Sequence, residues 1–187
     1  MSPRRLVDQQ RIEYFLQQLG KQFTKPGRVY LVDGTSMVYE GLRQQTLDID
    51  LTFEIANKDH TLFIEVVRDL KEKLSLNIEE VSPADFIPLP SGYRERSQFI
   101  RRYGQLDIFH FDLYSAALSK IARGTEEDFA DVLSLLQTRR IEMEKLALYF
   151  NEILPDFAAA SLKRDPVEFK QKFEALTEMW RNTQDTP

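Results

Sequence analysis

The amino-acid sequence predicts an α/β (α+β) protein with a small sheet flanked by helices and a helical C-terminal half. Two observations support this prediction. In the first part of the chain, short β-rich runs alternate with amphipathic segments of helical spacing. From Tyr114 onwards the strand-like runs stop and one helical segment follows another. We therefore predict an α/β domain over residues 1–115 and a helical region over 116–187 that packs on it.

The first elements along the chain are a helix and a strand. Residues 6–19 carry apolar side chains at near-helical spacing, and Gly20 would end this helix. Turn-forming residues at 24–27 then lead into a β-rich run at 29–32. The spacing predicts that the helix packs on the sheet to which this strand belongs.

A tight turn follows this strand and opens a second helix. Asp33 and Gly34 end the β-rich run, and Thr35 and Ser36 begin a short segment with helical spacing. Backbone N–H groups at a helix start have no partner within the helix, and a phosphate group can accept hydrogen bonds from them. Gly34, Thr35 and Ser36 are therefore candidate phosphate-binding residues.

The next strand alternates acidic and apolar residues. Asp48 and Asp50 would project from one face of the strand, and the leucine and isoleucine residues between and beside them from the other. Two neighbouring carboxylates repel each other unless a cation lies between them, and hard oxygen ligands of this kind suit Mg²⁺. The alternative is an exposed edge strand with a solvated acidic face, because the Asp-x-Asp pattern is common.

Further helix and strand signals complete the predicted α/β domain. An amphipathic helix spans 62–70 and a short strand spans 76–81. The proline-rich segment 82–92 is expected to be a surface loop. Two more strands, 97–103 and 106–111, are separated by a short turn and form a predicted hairpin.

The second strand of this hairpin contains an acid among apolar residues. Asp107 lies between Leu106 and Ile108, and a buried carboxylate without a partner would be costly. One alternative is that Asp107 lies at an exposed edge. Another is that it pairs with an arginine of the neighbouring strand.

The C-terminal half contains a charged constellation on two successive helices. Its four predicted helices span 115–123, 126–136, 141–153 and 166–180. Lys120 and Arg123 lie three residues apart, on one helix face, and could bind triphosphate oxygens. Alternatively, they form an ion-pair network with Asp128 and Asp131 that holds the helical region together.

Two of these patterns resemble a known superfamily. The Gly34-Thr35-Ser36 turn followed by Asp48-Ile49-Asp50 resembles the signature of the nucleotidyltransferase superfamily, except that Asp33 replaces its first glycine. The helix with Lys120 and Arg123, and the acidic segment after it, resemble a branch with abortive-infection and toxin–antitoxin members. The resemblance covers roughly residues 29–136 and implies a small mixed sheet of nucleotidyltransferase type.

The resemblance also implies an activity. Such an enzyme would move a nucleoside monophosphate from a nucleoside triphosphate to an acceptor hydroxyl of RNA, protein or a small molecule, and an antitoxin could be its partner. Asp48, Asp50 and Asp107 would be catalytic and would hold two Mg²⁺ ions. Gly34 to Ser36, Lys120 and Arg123 would bind the triphosphate. The alternative is a catalytically silent member with a binding or regulatory role, which Asp33 in place of glycine favours.

Composition excludes several other classes of protein. The chain has no cysteine, which excludes disulfides, thiolate metal sites and cysteine nucleophiles. A net charge of −5 argues against nonspecific coating of nucleic acid, although the arginines of 94–102, interleaved with aromatic residues, could bind RNA or line a solvent face. No run approaches the ~20 apolar residues of a membrane span, and residues 1–10 lack an apolar signal-peptide run, so we expect a cytoplasmic protein.

Overall fold

The computed structural model of the chain describes residues 6–159 and 165–184. These residues form five β-strands in one mixed sheet and eight α-helices, which confirms the predicted α/β fold. The chain divides into two compact units. The first unit takes its residues from 1–82 and 97–111, and the second from 83–96 and 112–187.

The first unit contains the whole sheet. Its strands are β1 (Gly27–Leu31), β2 (Ile49–Ile55), β3 (Ile78–Glu80), β4 (Gln98–Tyr103) and β5 (Leu106–His110). Their order is β3-β2-β1-β5-β4. Strand β1 is antiparallel to β2 and parallel to β5, while β3 is parallel to β2 and β4 is antiparallel to β5. The hairpin predicted for 97–111 is therefore confirmed as β4 and β5.

Helices cover the apolar face of this sheet. They are α1 (Gln9–Gln22), the short α2 (Asp33–Tyr39) and α3 (His60–Leu74). Fully buried side chains of α1, β1 and α3, among them Phe15, Leu31 and Phe63, belong to one hydrophobic core. The apolar spacing of 6–19 and 62–70 thus identified the faces that pack on the sheet.

The sequence suggested that helix α1 ends at Gly20, but the helix extends beyond this residue. It continues to Gln22, and Gly20 is buried within it. A Cβ atom at Gly20 would lie 2.5 Å from the carbonyl oxygen of Tyr103 on β4. Glycine is needed here because the helix backbone approaches the strand backbone closely, and not because the helix stops.

The second unit is helical. Its helices are α4 (Tyr93–Arg96), α5 (Leu113–Arg123), α6 (Glu126–Gln137), α7 (Met143–Phe157) and α8 (Pro166–Gln184). Phenylalanines of α7 and α8 form its aromatic core, with Phe150 stacked on Phe173 at 4.0 Å and Phe157 on Phe169 at 4.3 Å between ring centroids. In the part of the chain that the structure describes, no helix has the length and apolarity to cross a membrane.

The segment 82–92 is only partly the surface loop that its prolines predicted. It contains a 3-10 turn, Pro83–Asp85, and the side chains of Pro83, Ile87 and Pro90 are buried. Proline lacks an N–H donor, so a segment rich in proline can be buried with fewer unsatisfied backbone groups.

Candidate functional site

The two halves of the sequence motif lie at the same end of the sheet. The turn at 33–36 follows the C-terminal end of β1, and Asp48 and Asp50 lie at the N-terminal end of β2. Because β1 and β2 are antiparallel, these ends are neighbours, and the backbone N–H of Val32 donates to the carbonyl oxygen of Asp50 at 3.2 Å. The structure therefore brings the turn and the acidic strand together.

Thr35 holds the turn on the acidic strand. Its hydroxyl oxygen accepts from the backbone N–H of Asp50 at 2.7 Å, and the hydroxyl donates to the backbone carbonyl of Asp48 at 3.3 Å. The residue is completely buried. Thr35 thus fixes the backbone on both sides of Ile49, and this contact uses its side chain inside the protein.

Ser36 belongs to a buried hydrogen-bonded chain with His110 and Glu40. The distance between Ser36 Oγ and His110 Nδ1 is 2.8 Å, and that between His110 Nε2 and Glu40 Oε1 is 3.0 Å. Burial lowers the pKa of His110 to about 4, so the ring is neutral at pH 7. A neutral ring satisfies all three groups when Ser36 donates to Nδ1 and Nε2–H donates to Glu40. The chain ties α2 to the end of β5.

Gly34 lies directly against two neighbouring side chains. A Cβ atom built at Gly34 would be 2.7 Å from Thr46 Oγ1 and 3.2 Å from Arg43 Nη1. The residue before it, Asp33, has a φ of 47°, in the left-handed region that glycine adopts most readily. Asp33 therefore has a backbone conformation that favours glycine, which is the residue that the superfamily has at this position.

The carboxylates of Asp48 and Asp50 have a third acid beside them. Both residues are half-buried, and they flank Ile49, whose side chain lies in the core. Asn77 Nδ2 donates to Asp48 Oδ1 at 2.6 Å and to Glu79 Oε1 at 3.0 Å. Glu79 on β3 is paired in register with Asp50 on β2. Sequence alone does not indicate Asn77 and Glu79, because their proximity to Asp48 and Asp50 depends on the pairing of β2 and β3.

Asp107 does not join these acids. Its partner in the sheet is Arg28 on β1, whereas Asp50 is opposite Val32. Arg28 and Val32 are four positions apart, which corresponds to about 13 Å along a strand. The expectation that Asp107 converges with Asp48 and Asp50 is therefore wrong for this structure.

Asp107 instead forms the arginine pair that was the alternative. Arg102 donates two hydrogen bonds to its carboxylate, at 2.6 and 3.0 Å, and both residues lie on the hairpin of β4 and β5. These hydrogen bonds hold the pKa of Asp107 below its usual value.

Lys120 and Arg123 lie in an ion-pair network of the second unit. Lys120 is only 4% exposed, and its Nζ lies 2.8 Å from Asp131 and 3.6 Å from Asp128. Arg123 donates two hydrogen bonds to Asp128, at 2.6 and 3.2 Å. The structure therefore contains the network that was the alternative to triphosphate binding.

The arginines of 94–102 are divided among separate contacts. Arg96 forms a bidentate pair with Asp112, the cap of α5, and Arg101 bonds to Glu13 on α1. Arg102 pairs with Asp107, as described above. Three of these arginines already have acidic partners, so the structure gives the RNA-binding hypothesis no support.

The carboxylate oxygens of Asp48 and Asp50 are the kind of ligand that divalent cations prefer, but they are few. Within residues 6–159 and 165–184, no three histidine, aspartate or glutamate side chains are arranged to hold a metal ion. Carboxylates such as those of Asp48 and Asp50 are ligands of the type that Mg²⁺ prefers, but in the described part of the chain they are not joined by a third such side chain in a metal-binding arrangement.

Comparison with known proteins identifies the family. A family model described as a nucleotidyltransferase of unknown function, DUF6036, matches residues 10–181. No curated protein and no solved structure matches the chain significantly. The match spans the turn, the acidic strand and the helical unit, so the chain belongs to this nucleotidyltransferase family.

Proposed function

We propose that this chain binds a nucleoside triphosphate with Mg²⁺ at the end of the sheet where the turn meets β2, and transfers a nucleoside monophosphate to an acceptor hydroxyl. The observation that carries the proposal is the double hydrogen bond of Thr35 to the backbone of Asp48 and Asp50. It fixes the backbone that carries the two carboxylates beside the turn, and metal-assisted transfer requires such positioning. Membership of the family supports the reaction class.

Asp48 and Asp50 would hold the ion. Mg²⁺, when bound, supplies positive charge that offsets the charge of the triphosphate. Asn77 donates to Asp48 and so limits the rotation of its carboxylate. The sequence implied two ions, but Asp107 lies too far away to complete a second one, so we propose a single ion.

The acids of the site also explain why a cation is needed there. Asp48, Asp50 and Glu79 lie close together, and Asn77 donates to two of them. A triphosphate would add further negative charge at the same place. Without a cation, repulsion between these groups would oppose binding.

Calorimetry on the Asp50→Asn variant tests the proposal. Binding of ATP, GTP, CTP and UTP is measured with and without Mg²⁺, and transfer is followed with α-labelled triphosphates. We expect Asp50→Asn to abolish Mg²⁺-dependent binding and transfer, because it removes a charged ligand and keeps the shape of the side chain. Asp107→Asn is the matched control, and we expect it to bind like the wild type. Full transfer activity in Asp50→Asn would contradict the metal assignment.

A second candidate function is a catalytically silent binding or regulatory protein. The observations that favour it are the separation of Asp107 from the site and the close contact of Arg43 and Thr46 with Gly34. A silent member predicts that none of the triphosphates gives a heat signal or raises the melting temperature in the presence of Mg²⁺. Binding without transfer to any acceptor would indicate a regulatory nucleotide sensor.

A further inference from the structure

Asp107 belongs to a row of alternating charges at the far end of the sheet. Glu54 on β2, Arg28 on β1, Asp107 on β5 and Arg102 on β4 are consecutive cross-strand partners. Partners in register project from the same face of a sheet, about 5 Å apart. Negative and positive side chains therefore alternate across four strands.

A cavity of about 590 Å³ lies over this row. This volume is in the range of small-molecule sites in proteins. Its lining residues all belong to the first unit, and they are Pro26, Gly27, Arg28, Glu54, Arg102, Gly104, Gln105 and Asp107. Charged side chains thus dominate the polar part of the lining.

A buried polar group lies beside the row. Tyr30 is 2% exposed, and its hydroxyl interacts with the side chains of Arg28 and Glu54. It lies two residues after Arg28, on the same face of β1, and its ring stacks on Phe109 at 5.3 Å. Interaction with the Tyr30 hydroxyl raises the pKa of Arg28.

Cross-strand pairing alone accounts for part of this arrangement. The bidentate bond of Arg102 to Asp107 stabilises the β4–β5 hairpin without any ligand. That role does not explain the cavity above the row.

The balance of charge selects the class of ligand. An anion would be attracted by the two arginines and repelled by the two carboxylates, and a cation would meet the opposite balance. A ligand with both charges close together complements neighbouring members of the row. We propose that the cavity binds a small zwitterion of the free amino-acid class, with its carboxylate on Arg28 and its ammonium group on the neighbouring Glu54.

Amide NMR on the full chain tests this inference. The proteinogenic L-amino acids are added one at a time, at millimolar concentration, without nucleotide or Mg²⁺. We expect at least one to shift the amide signals of Gly27, Gly104 and Gln105. Arg28→Lys keeps the charge but loses the planar fork that binds a carboxylate, so it should weaken binding about tenfold or more.

Two controls separate the proposal from its alternatives. Arg101 also lies on β4, but it bonds to Glu13 and is not a member of the row. Arg101→Lys should therefore leave binding of the amino acid unchanged. The N-acetyl amide of the binding amino acid, which lacks both charges, should not bind. The proposal is overturned if no amino acid shifts these signals, if Arg28→Lys binds like the wild type, or if guanosine or inorganic phosphate shifts them more strongly.

Discussion

Replacing Lys120 by methionine distinguishes a structural from a ligand-binding role of the network in the second unit. Lys120 is 4% exposed and Asp131 is 6% exposed, and the Nζ–Oδ2 distance between them is 2.8 Å. Methionine has a similar length and no charge. The substitution therefore leaves the Asp131 carboxylate buried without its nearest cation.

The expected cost follows from this burial. Removing one partner of a buried ion pair typically costs about 3–5 kcal/mol, because the remaining charge has lost water without gaining a counterion. The double variant Lys120→Met/Asp131→Leu removes both charges and should recover most of this loss. The matched control is Lys170→Met, since Lys170 forms an exposed pair with Glu174 at 4.0 Å, and it should cost no more than about 0.5 kcal/mol.

Urea denaturation followed by tryptophan fluorescence measures these costs. Trp180 is the only tryptophan of the chain and lies on α8, so its signal reports unfolding of the same unit. A shifted midpoint with an unchanged slope indicates a change in stability alone. A loss of less than about 1 kcal/mol for Lys120→Met, together with abolished ATP binding, would refute the structural role and make Lys120 a triphosphate ligand.

Two further predictions concern buried polar side chains at the turn, the imidazole of His110 and the hydroxyl of Thr35. Folded chains have a His110 pKa of about 4 and unfolded chains about 6.5, so acidification from pH 6.5 to 4 protonates only the unfolded chain. Stability should fall by up to about 3 kcal/mol over this range, and His110→Gln should remove this part of the pH dependence in denaturation curves. Thr35→Val should cost about 1–3 kcal/mol in the same assay and weaken Mg²⁺-dependent ATP binding, because the N–H of Asp50 loses its acceptor.

Each of these two predictions has a result that would contradict it. Thr35→Ser keeps the hydroxyl and should retain triphosphate binding. Loss of binding in Thr35→Ser with full binding in Thr35→Val would show that the methyl group and not the hydrogen bond matters. An unchanged pH profile in His110→Gln would show that other groups cause the acid sensitivity.

The sequence predicted elements well where local periodicity decides them. The alternation around Ile49 identified a strand, although that strand begins at Ile49 and Asp48 lies in the bend before it. The spacing of 62–70 identified a helix in which Phe63 and Leu70 are buried. Gly20 was misjudged because glycine permits close backbone approach as well as helix termination, and only the tertiary contact with Tyr103 distinguishes the two roles.

The site was harder to predict than the fold because it depends on register. A period-two pattern shows which face Asp107 occupies on its strand, but not which residue of β1 it meets. The parallel pairing of β1 with β5 places Asp107 beside Arg28, and His110 beside Leu31 near the turn. The same limitation hid Glu79, because β3 has only three residues and its pairing with Asp50 is set by the sheet.

Asp33 stands where the superfamily has a glycine, and it alters the charge of the turn more than the conformation of its backbone. Its φ of 47° shows that the chain keeps the left-handed conformation suited to glycine, which aspartate adopts more readily than most residues. The hydrogen bonds of Thr35 and Ser36 hold the rest of the turn in place. Asp33 therefore adds a carboxylate to a turn adjacent to Asp48 and Asp50. If the chain binds a triphosphate as proposed, the penalty from Asp33 is electrostatic, and a divalent cation would reduce it.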